Sequence, residues 1–416
     1  MAIGSFMVLP LMLEKLGQNT FGIWMVISSS VGLMGFLDLG LGSALMNYIA
    51  FNSDRKADVV KFIKTAYMIQ FCFIGILLIV LQLSFAHIPW DGILNIRQPG
   101  ANVLRAVAIT VTCFLVNLVT STIYAIQKGL QKSYTANAWL LAGTIIYLLL
   151  LWLVLMKNPA LEWIALVNFG VPVVVSLVNS VLFLYKEQVF SQAFISRNIS
   201  WREMKLFTGD SALLLFLQLA AMICFQTDCL ILAHYTTYAG VAQFTVAAKI
   251  FAIPMVILGV YLQSLWPAYA KAFSDGNWAW IKRVFLNSLF FAFLGAVIFV
   301  AAIGLSKDLL VKYWLSGQMQ ISAALLAAFG LWAVVNSIDS NIATLLNGLK
   351  KLKLQAFWAL IMVMANLTFS ILLVKSYGVP GVIWGTVLST TLCSVIPCAV
   401  YIKHLYNVNI KLKAAN

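Results

Sequence analysis

Twelve apolar segments recur along the chain, separated by short polar joints. They run over residues 2–13, 21–50, 62–86, 103–126, 134–156, 161–184, 209–234, 240–270, 281–305, 319–348, 353–374 and 380–402. A helix needs about 20 apolar residues to cross a hydrocarbon core of about 30 Å, and every segment but the first has that length. The pattern predicts an all-α polytopic membrane protein with about 12 transmembrane helices. The first segment, Ala2 to Leu13, would rise only about 18 Å as a helix. The expectation is an incomplete first helix, or a true start upstream of Met1. A cleaved signal would want a basic stretch before it and a small-residue cleavage site after it, and Glu14-Lys15-Leu16-Gly17 supplies neither.

The halves of the pattern repeat. Residues 121–132, STIYAIQKGLQK, align with residues 340–351, SNIATLLNGLKK, at a spacing of 219 residues from Gly129 to Gly348. The same spacing matches Asn117 with Asn336 and Trp139 with Trp358, and Gly22 has a mate in Gly240 at a spacing of 218. Six spans separate the mates, so the halves should share one orientation. Parallel repeats of this kind are related by an axis along the membrane normal and hold substrate between them near the midplane. The expected organisation is an N-lobe over 1–185, a cytoplasmic linker over 186–208 and a C-lobe over 209–416, as two pseudo-symmetric six-helix lobes around a central cavity. In the linker, Ser200-Trp201-Arg202-Glu203 has the spacing of a helix-capping box. It predicts a short interfacial helix with Trp201 at the headgroups.

Composition agrees with a membrane chain: 62% of residues are hydrophobic and 10% charged. The net charge of +14 raises nucleic acid as a partner, but the basic residues form no block. Nineteen Lys and Arg fall in one alternate set of joints and the C-terminal tail, and seven in the opposite set. That asymmetry marks cytoplasmic loops; it places both termini in the cytoplasm and argues against nucleic acid. The six cysteines all lie in apolar runs and form no CxxC pair, so small buried side chains are expected rather than disulfides or metal ligands. His87, His234 and His404 lie near different span ends.

The remaining basic residue, Lys249, lies inside a span. Ionisable groups at membrane depth are costly and face a cavity or a partner. Asp38 is the single acid of the second segment, flanked by Gly32, Gly35, Gly40, Gly42 and Ser43. Such small residues fit a close neighbouring helix or a broken backbone. Asp38 either binds a cation or a substrate hydroxyl, or caps a helix that resumes after the break. Asp228 and Lys249, on consecutive spans at matched depth, are candidates for an ion pair, structural or switchable. Asp339 lies among Asn336, Ser337, Ser340 and Asn341, a polar stripe expected to line water. Asp210 reads as an N-cap. Pro10, Pro172, Pro254 and Pro397 each remove a helix hydrogen bond, and Pro254 is a candidate hinge. Trp24 and Trp266 fit an interfacial belt better than sugar stacking. No Walker lysine, no Ser/His/Asp set and no large external loop is present, so an enzyme such as a glycan polymerase or ligase is disfavoured.

Several stretches resemble a known family. Leu16-Gly17, Phe21-Gly22-Ile23-Trp24 and Leu37-Asp38-Leu39-Gly40-Leu41-Gly42 resemble the opening of Wzx-type O-antigen and polysaccharide flippases, of the multidrug/oligosaccharidyl-lipid/polysaccharide exporter superfamily. Leu265-Trp266-Pro267-Ala268-Tyr269, Asp275-Gly276-Asn277-Trp278 and Gly381-Val382-Ile383-Trp384-Gly385-Thr386 resemble later stretches of the same family. The resemblance implies alternating access and movement of a lipid-linked oligosaccharide from the cytoplasmic to the periplasmic leaflet of the bacterial inner membrane. The glycan would occupy the cavity while the undecaprenyl tail stays in lipid. Asp38, Asp228, Lys249, Asp339, Asn336 and Asn117 are the cavity candidates. No catalytic residue, metal or cofactor is expected, with H+ or Na+ as the candidate coupling ion. Membrane lipid and polysaccharide polymerase machinery are the further partners. The alternative in the superfamily is a cation-coupled multidrug antiporter, which usually carries an acid deep in its first span; Ala2 to Leu13 has none.

Overall fold

The computed structural model describes residues 2–38, 42, 45, 46, 48, 49, 56–95, 100–157, 160–186, 210–315 and 317–415. The linker and its capping box fall on residues 187–209, outside them. All regular structure among the described residues is helical. Among the described residues, nine helical stretches are long and apolar enough to cross a membrane. They match segments three to six and eight to twelve of the sequence reading. Helices suit this setting because lipid offers the backbone no hydrogen-bond partners, and a helix satisfies its own.

The chain folds as two compact units. The first contains Met1–Leu16 and Ile27–Leu215, the second Gly17–Val26 and Phe216–Asn416. The opening helix, α1 (Ala2–Leu33), crosses between them, with a break at Gly17 where φ is +73°. A residue with a Cβ is rarely tolerated there. The sequence pattern suggested a joint over 14–20; a single glycine makes it instead. Residues 17–26 pack in the second unit, where Gln18 donates to the Gln318 carbonyl at 2.6 Å. Gly22 lies so close to the Tyr238 backbone that a Cβ has no room.

In the first unit the central element is α3 (Ala101–Thr120), continued after Ser121 by α4 (Thr122–Gly129). Around it pack α2 (Lys56–Ser84), α5 (Ser133–Lys157), and the pair α6 (Leu161–Ala165) and α7 (Val171–Lys186). The second unit comprises α8 (Asp210–Tyr235) from Phe216 on, α9 (Tyr238–Ser274), α10 (Trp278–Leu305), α11 (Ala323–Gly348), α12 (Leu352–Tyr377), α13 (Val379–Thr390) and α14 (Ile396–Ala415). There α11 is central, against α9, α10 and α13. Local chemistry fixes the joints. Thr237, Asn277 and Ser322 cap α9, α10 and α11, each accepting from a backbone N–H three residues on, in the N-cap arrangement. Gly276 takes a positive φ of 64° before Asn277. Pro172 and Pro397 each follow a wide π turn, Leu166–Gly170 and Thr391–Val395. The wider turn accommodates the lost donor and the ring's clash four residues back. Pro10 and Pro254 lie within continuous helices.

The repeat runs through the internal packing of both units. Ile63, Ile123, Ile126 and Phe183 form a buried cluster in the first unit. Ile281, Ile342, Leu345 and Ile402 do so in the second. Each residue is the mate of its counterpart at a spacing of 218 or 219. Gly129 approaches the Met46 carbonyl and Ile49; its mate Gly348 approaches the Trp266 carbonyl and Tyr269. Buried hydrogen bonds repeat as well. Thr122 donates to Gln70 at 2.7 Å, and at the matching place Ser288 donates to Asn341. Ser176 donates to Thr120 at 2.7 Å, and Ser394 donates to Asp339 at 2.6 Å. Lipid competes with apolar packing between helices, so close approach and such bonds, each about 0.6 kcal/mol, carry much of the association.

Not every cysteine is buried: Cys224, Cys229 and Cys398 are, whereas Cys72 is exposed, and all six are free thiols. Large apolar side chains face outward on several spans, among them Phe71, Ile76, Leu83, Leu141 and Leu149. Lipid, not water, suits such a surface.

A Cβ at Gly348 would fall 2.5 Å from the Tyr269 Cβ, whereas nothing lies within 4 Å of a Cβ at Gly259. Gly348→Leu therefore lowers the thermal midpoint of the detergent-solubilised protein by several degrees, an overpacking cost of about 1–3 kcal/mol, and Gly259→Leu leaves it in place.

Candidate functional site

Asp38 ends a 3-10 turn, Met34–Asp38, that follows α1. The tighter turn breaks the α-helical ladder at this point, and helical backbone is present again at Gly42. The half-buried Asp38 carboxylate accepts from the Gly42 backbone N–H. It thus holds one of the donors that a helix leaves unsatisfied at its start. A Cβ at Gly42 would lie 3.8 Å from both Asp38 Oδ2 and Ala125 Cβ. Ala125 is thus an ordinary van der Waals neighbour of this position. Gly40 and Ser43 lie outside the described residues.

In the second unit, Asp228 is buried on α8, with one carboxylate oxygen enclosed and lacking any hydrogen-bond partner. Lys249, on α9, is exposed together with Ile253, Val256, Ile257 and Val260. Those positions recur at three- and four-residue intervals and form one face of the helix. The proposed ion pair is absent: among the described residues the ion pairs are Glu14–Lys15 and Arg105–Glu162. Depth along neighbouring spans was matched, but the two side chains emerge on different faces, one inward and one outward.

The polar stripe of α11 also divides by face. Ser337 and Asn341 are buried at 1% exposure, with Asn341 held by Ser288 and by the Ser337 carbonyl. Asn341 joins α11 to α10, and Ser337 donates back to the Ala333 carbonyl of its own helix; neither lines water, which corrects the expectation for those two. Asn336 and Asp339 are half-buried. Asn336 donates to the Met255 sulfur at 3.1 Å, and Asp339 accepts from Ser394 at 2.6 Å. Asn117, the mate of Asn336, is half-buried on α3; its carbonyl accepts from Ser121 at the junction with α4. Asp38 and Asn117 belong to the first unit, the other four candidates to the second. Among the described residues no hydrogen bond or ion pair joins two of the six.

Trp24 is 3% exposed, packed rather than placed in an interfacial belt. Trp278 and Trp280 pack on the buried cluster of the second unit. The sequence reading passed over Gln70, Thr120, Thr122, Ser176 and Ser288, which take part in buried cross-helix bonds, and Ser394, whose bond to Asp339 is partly buried. The repeat spacing, carried past Gly129 and Gly348, would have paired them.

The fold is shared with solved MATE-family structures. An inward-facing MATE-family multidrug resistance transporter of the MOP superfamily superposes with a TM-score of 0.72 at 15% identity, over 99% of this chain and 94% of that one. A Vibrio cholerae MATE transporter gives 0.66 at 14% identity, over 100% and 94%. Residues 2–273 match the family described as polysaccharide biosynthesis protein, and the chain belongs to that family. A Salmonella typhi protein named as a candidate O-antigen transporter is 23% identical over 92% of this chain and 88% of its own length. A Yersinia pseudotuberculosis protein, named as a candidate O-antigen export protein, is 24% identical over the same shares.

Two outcomes follow for the ionisable residues. Asp38→Ala lowers stability by about 1 kcal/mol, the usual loss on removing a capping side chain, while Asp38→Asn, which keeps an oxygen acceptor, stays close to the parent in thermal melting. Asp228→Asn and Lys249→Ala combine additively in a double-mutant cycle; a coupling above about 0.5 kcal/mol would show that the two side chains meet.

Proposed function

We propose that this protein is a flippase for undecaprenyl-pyrophosphate-linked O-antigen or polysaccharide repeat units, carrying them from the cytoplasmic to the periplasmic leaflet of a bacterial inner membrane. The observation that carries the reading is the pair of units built to one internal plan, in a chain of the polysaccharide biosynthesis family. Parallel repeats suit alternating access, in which each half moves as a body and the substrate contacts both. Relatives named for O-antigen transport and export support the substrate class.

In this reading the protein makes and breaks no covalent bond, and the family's relatives are named as transporters rather than enzymes. Lys249 is the cation that meets the pyrophosphate, because it is exposed on an otherwise apolar face where a doubly charged headgroup would find no other partner. Asp228, enclosed with an unpartnered oxygen, is the group that takes up a coupling cation, H+ or Na+. Asp38, Asn117, Asn336 and Asp339 offer hydrogen bonds to sugar hydroxyls when their internal partners are released. Both termini lie in the cytoplasm, by the bias of Lys and Arg between alternate joints.

The deciding experiment is resolved by leaflet. Deleting the gene should make undecaprenyl-pyrophosphate-linked repeat units accumulate on the cytoplasmic side while surface polysaccharide disappears, and the wild-type gene should restore both. Lys249→Gln should restore surface polysaccharide only in part, despite normal membrane levels. Unchanged surface polysaccharide together with heightened sensitivity to cationic drugs would replace the flippase with a cation-coupled multidrug antiporter.

A further inference from the structure

The first unit holds a groove that the transport reading leaves unused. It is bounded by α2, α3 and α7 and encloses about 480 Å³. Its outer walls are apolar and strongly exposed, with Met68 at 54%, Phe71 at 63%, Leu177 at 51% and Val181 at 56%. The outward faces of α2 and α7 beyond it are apolar as well, carrying Ile76, Ile79 and Leu83 on one and Val174 and Val178 on the other. A groove in such a surface opens to lipid.

One end of the groove is chemically different. Lys64 and Tyr67 line it from α2, Thr120 from α3 and Ser180 from α7. The Tyr67 hydroxyl is enclosed near Ser180 yet makes no well-formed hydrogen bond. Ser180 spends its own proton on the carbonyls of Thr120 and Ser176. The start of α2 and the end of α7 meet at this end, where Ile63 and Leu184 share a buried cluster, and Lys61 and Lys186 lie beside them in the sequence. The opposite end, at Phe71, Cys72 and Leu177, has no charged lining residue. From Lys64 to Cys72 the helix rises about 12 Å, the reach of part of one hydrocarbon chain.

The groove is therefore amphiphilic along its length: cationic at the end where the joints are basic, and apolar toward the bilayer interior. Basic pockets between spans on the cytoplasmic side suit anionic lipid headgroups. We propose that this groove binds an anionic phospholipid, with its phosphate beside Lys64 and one acyl chain laid between α2 and α7 along Phe71 and Val181. The occupant is a lipid of the surrounding membrane, distinct from the cargo, and its binding holds whether or not the flippase reading does.

Native mass spectrometry of the full-length protein, titrated with phosphatidylglycerol or phosphatidylcholine, tests this. The wild type should bind its first phosphatidylglycerol several-fold more tightly than phosphatidylcholine. Lys64→Gln should weaken that first phosphatidylglycerol about five-fold, the factor one lysine contributes near an anionic lipid, and leave phosphatidylcholine unchanged. Val181→Trp, which fills the groove, should lower the first binding of both, and Lys353→Gln, a charge loss in the other unit, should change neither. If Val181→Trp fails to fold, Lys64→Gln alone decides. Equal binding of the two lipids by the wild type, or unchanged phosphatidylglycerol binding by Lys64→Gln, overturns the proposal. So does displacement of the first phosphatidylglycerol by a polyprenyl phosphate, which would make the groove a seat for the cargo's own chain.

Discussion

Inside a bilayer no water stands ready to satisfy a polar group, and no hydrophobic penalty drives apolar helices together. That single constraint explains most of what holds these helices in place. Where two helices must stay in contact, the chain supplies either a missing side chain or a buried hydrogen bond. Gly129 and Gly348 let backbones approach where any Cβ would collide with a neighbouring helix. Gln70 with Thr122, and Ser288 with Asn341, tie facing spans through side chains that are nearly inaccessible. The apolar clusters around them fill space, but they gain little over the lipid contacts they replace. The central helices, α3 with α4 in one unit and α11 in the other, carry most of these devices because they touch the most neighbours.

The parts of the fold legible in the sequence were those written in length and spacing. Apolar runs of span length located the helices, and the 219-residue spacing located the repeat, because both are set by geometry that the bilayer imposes. The joints were less legible. A polar stretch between two apolar runs reads as a loop, yet Gly17 turns the chain in one residue and leaves helix on both sides. The wide turns before Pro172 and Pro397 leave no mark beyond the prolines themselves, and Pro10 and Pro254, identical in sequence terms, lie in uninterrupted helices.

For the candidate site, residue type was legible and direction was not. Depth along a helix can be counted, so Asp228 and Lys249 were placed at matching levels. The azimuth depends on how each helix is rotated by its packing, and that is decided by residues elsewhere on the helix. Cys224, Cys229, Ile231 and Leu232 are buried with Asp228 on α8, whereas Lys249 shares the outward stripe of α9. The polar stripe of α11 failed for the same reason, since half of it faces α10. Asp38 could be read two ways from sequence alone, and its contact with the Gly42 N–H is compatible with both.

The repeat also separates what the two halves need in common from what they do not. The mates that coincide are packing residues and neutral hydrogen-bonding pairs: Ile123 with Ile342, Ile126 with Leu345, Thr122 with Asn341. The ionisable residues of the spans break the rule. At the 218-residue spacing that pairs Gly22 with Gly240, Asp228 stands opposite Pro10, Lys249 opposite Val31, and Asp38 opposite Val256. Asp339 replaces Thr120 in a hydrogen bond that is otherwise preserved, with Ser394 where the first unit has Ser176. A charge in a span is costly, and the neutral Thr120 makes in the first unit the bond that Asp339 makes in the second. That contact does not require an acid. A residue that costs stability and is not required by the architecture marks where a sequence departs from its own structural rules, and such departures gather at sites of function. The asymmetry between the halves thus singles out Asp38, Asp228, Lys249 and Asp339 and leaves Asn117 and Asn336, which are mates, to the shared plan.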